Sequence, residues 1–167
     1  MLIVFSGLPG TGKTTIARQV AEKLWAQYLR IDSIELALQQ AGVGPDEMRD
    51  KGYLAAAAVA LDNLTTNNAV VVDAVNPIWQ VREIWREIAA EAGKLIFEIE
   101  IVCSDRDEHR RRVETRKSDL PGFVPPTWAE VQSRHYESWR GAALPVDTAG
   151  RSVEQSVMGI VSYLKKR

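Results

Sequence analysis

The chain has 167 residues and a formal net charge of -1. That length fits one domain able to bury roughly two-thirds of its unfolded surface, and that balance excludes the broad positive field of a non-specific nucleic-acid binder. Cys103 is the only cysteine, which rules out an intrachain disulfide. The longest apolar run, YLAAAAVAL at 53–61, falls short of the ~20 residues of a membrane span. The amino-terminal MLIVF lacks the basic region of a signal peptide, so the expectation is a soluble cytoplasmic protein.

In chain order, apolar runs alternate with segments of helical period, the pattern of a layered α/β domain with a parallel sheet. Leu2 to Phe5 predicts a first strand, followed by a glycine loop and a helix with Ile16, Val20 and Leu24 on its apolar face. LRID at 29–32 predicts a second strand, and helices are expected over 33–41 and 49–66. AVVVDA at 69–74 is a third strand, whose unbroken valines suit cover on both faces. Ile78, Val81, Trp85 and Ile88 mark a helix, and 95–102 a fourth strand with Glu98 and Glu100 on one less enclosed face. The charged stretch 104–119 predicts a surface or moving helix, and 120–126 is a proline and glycine loop. Thr127 with Glu130 forms a capping box for the next helix, expected to carry both Trp128 and Trp139 as packing residues. ALPVD is a last strand, and Ser152 with Gln155 caps a terminal helix.

The strongest local signal is GLPGTGKT at 7–14, a Walker A pattern lying between a strand and a helix. Gly7, Gly10 and Gly12 allow backbone N–H groups, with those of Thr11 and Thr15, to form an anion nest at a helix N-terminus. Lys13 suits the β- and γ-phosphates of a nucleotide, and the Thr14 hydroxyl suits Mg²⁺.

Ligands of open α/β sheets bind beyond the carboxyl ends of the strands, where two acids stand. Asp32 reads as a general base for an acceptor hydroxyl, or as the N-cap of a helix starting at Ser33. Asp73 reads as an acid that holds Mg²⁺ or grips substrate, or as part of a strand-end turn ahead of Asn76-Pro77. Arg112 and Arg116, four apart in the basic segment, read equally as transition-state cations or as members of solvated ion pairs. His109 and His135 stand at no strand end and in no metal-ligand spacing, which predicts structural or exposed roles.

GLPGTGKTT, LRIDSIE, VVVDAVNP, EHRRRVETR, PTWAEV and VDTAG, in this order, resemble the small P-loop kinases grouped as AAA-type ATP-binding proteins, beside chloramphenicol phosphotransferase, zeta toxin and the polynucleotide kinase domain. The resemblance spans nearly the whole chain, 1–167. It implies a three-layer α/β fold with a five-stranded parallel sheet in the order 2-3-1-4-5, a helical lid at about 105–126, and ATP with Mg²⁺ as cofactors. The implied reaction moves the γ-phosphate to a hydroxyl of a small molecule. In it Asp32 is the base, Arg112 and Arg116 belong to the lid, Thr148, Ala149 and Gly150 meet the adenine, and Asn76 and Arg82 contact the acceptor. Several kinases of this group carry an arginine where this chain has Glu35, which weakens the case for a phosphate-bearing acceptor. An ATP-hydrolysing switch and a polynucleotide 5′-hydroxyl kinase are the alternatives; the near-neutral charge argues against extended nucleic-acid contact.

Overall fold

The computed structural model describes residues 1–139 and 143–166. Its five strands are β1 (Leu2–Ser6), β2 (Gln27–Arg30), β3 (Val70–Asp73), β4 (Ile96–Val102) and β5 (Leu144–Asp147), all parallel and ordered β2-β3-β1-β4-β5. Alternation along β1 explains the layering. Ile3 and Phe5 face a core shared with Ile16, Val20, Val157 and Ile160, which brings α1 (Lys13–Leu24) and α8 (Val153–Leu164) onto one face. Leu2 and Val4 face a second core with Ala56, Ala60, Leu64 and Trp85. That core is built from α4 (Lys51–Thr65) and α5 (Trp79–Glu91), with α2 (Ile31–Gln40) and the short α3 (Pro45–Met48) beside it. Strands covered on both faces have no polar side to alternate with, which is why β1 and β3 read as continuous apolar runs.

The remaining elements are α6 (Arg106–Thr115) and α7 (Trp128–Ser133). Asp105 caps α6 by accepting from the N–H groups of Asp107 and Glu108 at 3.0 and 2.9 Å. The capping boxes at Thr127 with Glu130 and at Ser152 with Gln155 both form. Trp139 lies beyond the end of α7, so the single helix expected to carry Trp128 and Trp139 is shorter than the spacing suggested. Trp139 instead lies against the guanidinium of Arg82, 4.1 Å from it. Glu98 is also more enclosed than expected: it is buried because Arg86 donates to both of its carboxylate oxygens, at 3.0 and 3.1 Å.

The register sets Arg30 and Asp73 side by side, with Phe5 next across β3. The carboxyl ends of β1, β2 and β3 therefore open at one level. No helix among the described residues is long and apolar enough to cross a membrane.

Candidate active site

The loop between β1 and α1 is shaped by close approaches. Gly7 has φ 140°, and a Cβ there would lie 2.2 Å from the Ile101 carbonyl oxygen on β4. At Gly10, φ 87°, a Cβ would lie 2.3 Å from Val113 of α6. Glycine at these positions lets the loop pass under β4 and lets α6 rest on it. His109 of α6 adds a contact from its Nε2 to the Pro9 carbonyl at 2.8 Å and packs edge-on against Trp128. His109 is thus structural, and His135 is exposed, as expected from sequence. The first intrahelical bond of α1 runs from Ile16 N–H to the Gly12 carbonyl at 3.1 Å. The N–H groups of the turn before it are left for an anion.

At the helix mouth, Lys13 Nζ donates to Asp73 Oδ1 at 2.8 Å and the Tyr28 hydroxyl donates to Oδ2 at 2.7 Å. The Thr14 side chain, beside Asp73, also favours its charge. Burial is the largest effect and opposes the Asp73 charge, but the Lys13 ammonium together with the bonds from Lys13 and Tyr28 and the nearby Thr14 side chain outweighs it, and the carboxyl stays below its ordinary range. The same burial, with the Asp73 charge second, pushes the Tyr28 phenol up, so it remains a donor. Thr14 and Asp73, read from sequence as metal-holding, are therefore brought together beside Lys13.

Asp32 sits differently from the expectation. β2 ends at Arg30, and Asp32 lies in the first turn of α2 rather than closing the strand. Nor is it the N-cap, which is Arg30. The strand passes into the helix without a loop, so the cap position falls two residues earlier. Asp32 lies 3.6 Å from the Arg30 guanidinium and keeps about a third of its side chain exposed. It lines a cleft of about 820 Å³ together with Lys13, Thr14, Glu35, Arg112 and Arg116.

Arg112 is the pivot of the basic segment. It donates to the Thr148 hydroxyl at 2.8 Å, to the Thr148 carbonyl at 3.0 Å and to Glu108 at 2.6 Å. Thr148 in turn donates to the Thr11 carbonyl at 2.8 Å, so the loop after β5, the phosphate loop and α6 are tied through one hydroxyl. Arg116 ends α6 and lines the cleft. Burial lowers its pKa, with the Asp32 charge acting against that. Beyond it, Asp119 accepts from Arg18 at 2.7 Å and from Arg30 at 2.8 Å. Bonds from Arg30 first and Arg18 second bring the Asp119 carboxyl to about 2. Segment 105–126 is thereby fastened across the cleft to α1 and β2.

A second hollow of about 180 Å³ adjoins the first through Gly12 and Arg112. Thr148 lines it, with Thr15, Arg151, Ser152 and Val153. Ala149 and Gly150 line neither hollow; their N–H groups donate to Asp147 and Glu108. The N-terminus of α8 takes their place, and the only sequence mark of it was the cap at Ser152.

Asn76 and Arg82, expected at the acceptor, are not among the residues that line the cleft. Asn76, fully buried at φ 50°, donates to the Ser6 hydroxyl at 2.9 Å and the Phe5 carbonyl at 3.2 Å, and accepts from Trp85 Nε1 at 2.8 Å. Arg82 donates to the carbonyls of Asn76, Glu137 and Ser138. Both pin the turn after β3 from within. Asn76→Ala should leave Trp85 Nε1 buried without an acceptor and cost about 1–3 kcal/mol. The melting temperature, read by calorimetry, should fall accordingly.

Glu35, one turn after Asp32, is pushed up to about 7 by burial first and the Asp32 charge second, with Arg134 acting against both. A carboxyl raised in the folded chain binds more protons there than in the unfolded chain. Its stabilising contribution is full below the ordinary glutamate range and is lost as pH rises through about 7. The melting temperature of the wild type relative to Glu35→Gln should therefore fall as pH rises across that window.

A strand, a glycine loop and a helix that opens on Lys13, on a sheet ordered β2-β3-β1-β4-β5, define a P-loop protein of the kinase fold. Residues 2–137 match the AAA_33 family, an AAA domain, and the chain belongs to that family. It is 28% identical over 171 residues to an adenylyl-sulfate kinase of Halothermothrix orenii, covering 98% of this chain and 88% of that protein. A shikimate kinase of Geobacter sulfurreducens is 24% identical over 172 residues, covering 98% of this chain and 91% of that one. The Mycobacterium tuberculosis APS kinase CysC, in complex with AMPPNP and APS, shares the fold with a TM-score of 0.73 at 23% identity, covering 98% and 96% of the two chains.

Proposed function

We propose that this protein is an ATP-dependent kinase that moves the γ-phosphate to a hydroxyl of a small molecule. The observation that carries the reading is one cleft that holds the phosphate loop, the Asp32 carboxylate and the two arginines of segment 105–126. Relatives named as kinases of adenylyl sulfate and of shikimate support the transfer reaction without agreeing on an acceptor.

The residues divide the work as follows. Lys13 and the N–H groups at the start of α1 hold the phosphates. Thr14 and Asp73 would hold Mg²⁺, since Asp73 is bonded to Lys13, the neighbour of Thr14 in the phosphate loop, and both offer hard oxygen ligands; the ion would supply neutralisation of the phosphate charge. Thr148 and the N-terminus of α8 border the smaller hollow, which is placed to take the base and ribose. Asp32 accepts the proton of the acceptor hydroxyl as the new oxygen–phosphorus bond forms and the bond to the β-phosphate oxygen breaks, releasing ADP. Arg112 and Arg116 face the charge that spreads over the transferring group. Segment 105–126 acts as the lid, and Asp119 keeps it fastened to Arg18 and Arg30.

The test is γ-labelled ATP and Mg²⁺ with the protein and a pooled extract of small metabolites, beside Lys13→Ala and Asp32→Asn. A labelled organic product made by the wild type and by neither variant is the expected result. Release of label as inorganic phosphate alone, at equal rates with and without extract, would sink the proposal.

A further inference from the structure

Glu35 has no part in this transfer scheme, yet the fold makes room for it. A Cβ at Gly52 of α4 would lie 2.5 Å from Glu35 Cγ and 3.0 Å from its Oε1. The Glu35 stem is thus pressed onto the backbone of α4, and only glycine at 52 admits it there. Glu35 stands three positions after Asp32 on α2, which puts both on one helix face, and both line the 820 Å³ cleft. No hydrogen bond from the described residues of the protein engages the Glu35 carboxyl; burial and the charges of Asp32 and Arg134 act on it instead. The cleft is lined by guanidinium groups as well. Arg30, whose side chain is only 8% exposed, and Arg116 both line it, and each has a buried Nε with no hydrogen-bond partner.

We infer that Glu35 selects an uncharged, polyhydroxylated acceptor, binding a second hydroxyl of the molecule whose reacting hydroxyl faces Asp32. This rests on the kinase reading above. A hydroxyl both donates and accepts, so one neutral polyol answers the carboxyl acceptors and the guanidinium donors together. An acidic group next to the reacting hydroxyl would face the Asp32 carboxylate and, at the Glu35 position, a carboxyl in place of a cation. A lone ammonium there would face Arg30 and Arg116.

The experiment offers labelled ATP with two matched pools, neutral sugars and polyols in one, sugar acids and sugar phosphates in the other. Wild type, Glu35→Gln and Glu35→Arg are compared. The expected result is label in the neutral pool. Its KM should rise about tenfold or more in Glu35→Gln, the scale of one lost hydrogen bond to a carboxyl, while kcat falls much less. Glu35→Arg should shift preference toward the anionic pool. Because Glu35→Gln is isosteric, the comparison survives if Glu35→Arg does not fold. Label in the anionic pool with wild type, or an unmoved neutral-pool KM in Glu35→Gln, overturns the inference. So does label in neither pool. If the metabolite extract still yields an organic product in that case, only the acceptor class is wrong; if it yields none, the kinase reading falls as well.

Discussion

Asp32→Asn is expected to keep nucleotide affinity and to lose phosphoryl transfer by about 100-fold or more, the usual scale of a positioned general base. The structure makes this a clean substitution. Asp32 caps no helix and keeps about a third of its side chain exposed; its ion-pair neighbour, Arg30, is also held by Asp119 at 2.8 Å. Little stability is therefore at stake, and the loss should fall on kcat. Nucleotide titration together with turnover of any acceptor found in the extract would check it. Turnover within a few-fold of wild type would remove Asp32 from the reaction.

Lys13→Met is expected to abolish transfer and also to destabilise the fold, a combination Asp32→Asn should not show. Lys13 is 8% exposed and Asp73 2% exposed. Removing the ammonium leaves a buried carboxylate held by the Tyr28 hydroxyl, with the Thr14 side chain beside it. Breaking one side of a buried pair typically costs about 3–5 kcal/mol, which in a chain of this size lowers the melting temperature by on the order of 10 °C. Adding Asp73→Asn to Lys13→Met should recover much of that stability, because the stranded charge is gone, and should recover no activity. Calorimetry on the two single variants and the double variant checks this; a double variant no more stable than Lys13→Met would mean that the pair is not what holds this corner.

The parts of the site that were legible in the sequence are those encoded locally. The Walker loop, the valine run of β3 and the capping boxes at Thr127 and Ser152 each depend on residues within a few positions of one another. The strand order came through resemblance to a family, and the structure has it. What escaped was set by partners far along the chain. The second strand is legible, but its end at Arg30 is not: Tyr28 and Arg30 are held by Asp73 and by Asp119, 45 and 89 residues away. Asn76 and Arg82 follow a strand end, as acceptor-binding residues do, but long-range bonds to Ser6 and Glu137 absorb them. Glu35 gains its meaning only from Gly52, which the sequence presents as one glycine in an alanine-rich helix. No local pattern announces the Arg18 and Asp119 contact, which spans 101 residues.

The central claim, transfer to an organic hydroxyl rather than to water, is tested most directly by counting both products of one reaction. ADP and phosphorylated small molecule would be quantified together by mass spectrometry in the presence of the metabolite extract. The account predicts organic phosphate equal to ADP, with both lost in Asp32→Asn. ADP matched by inorganic phosphate, with no phosphorylated molecule and no dependence on the extract, would contradict it.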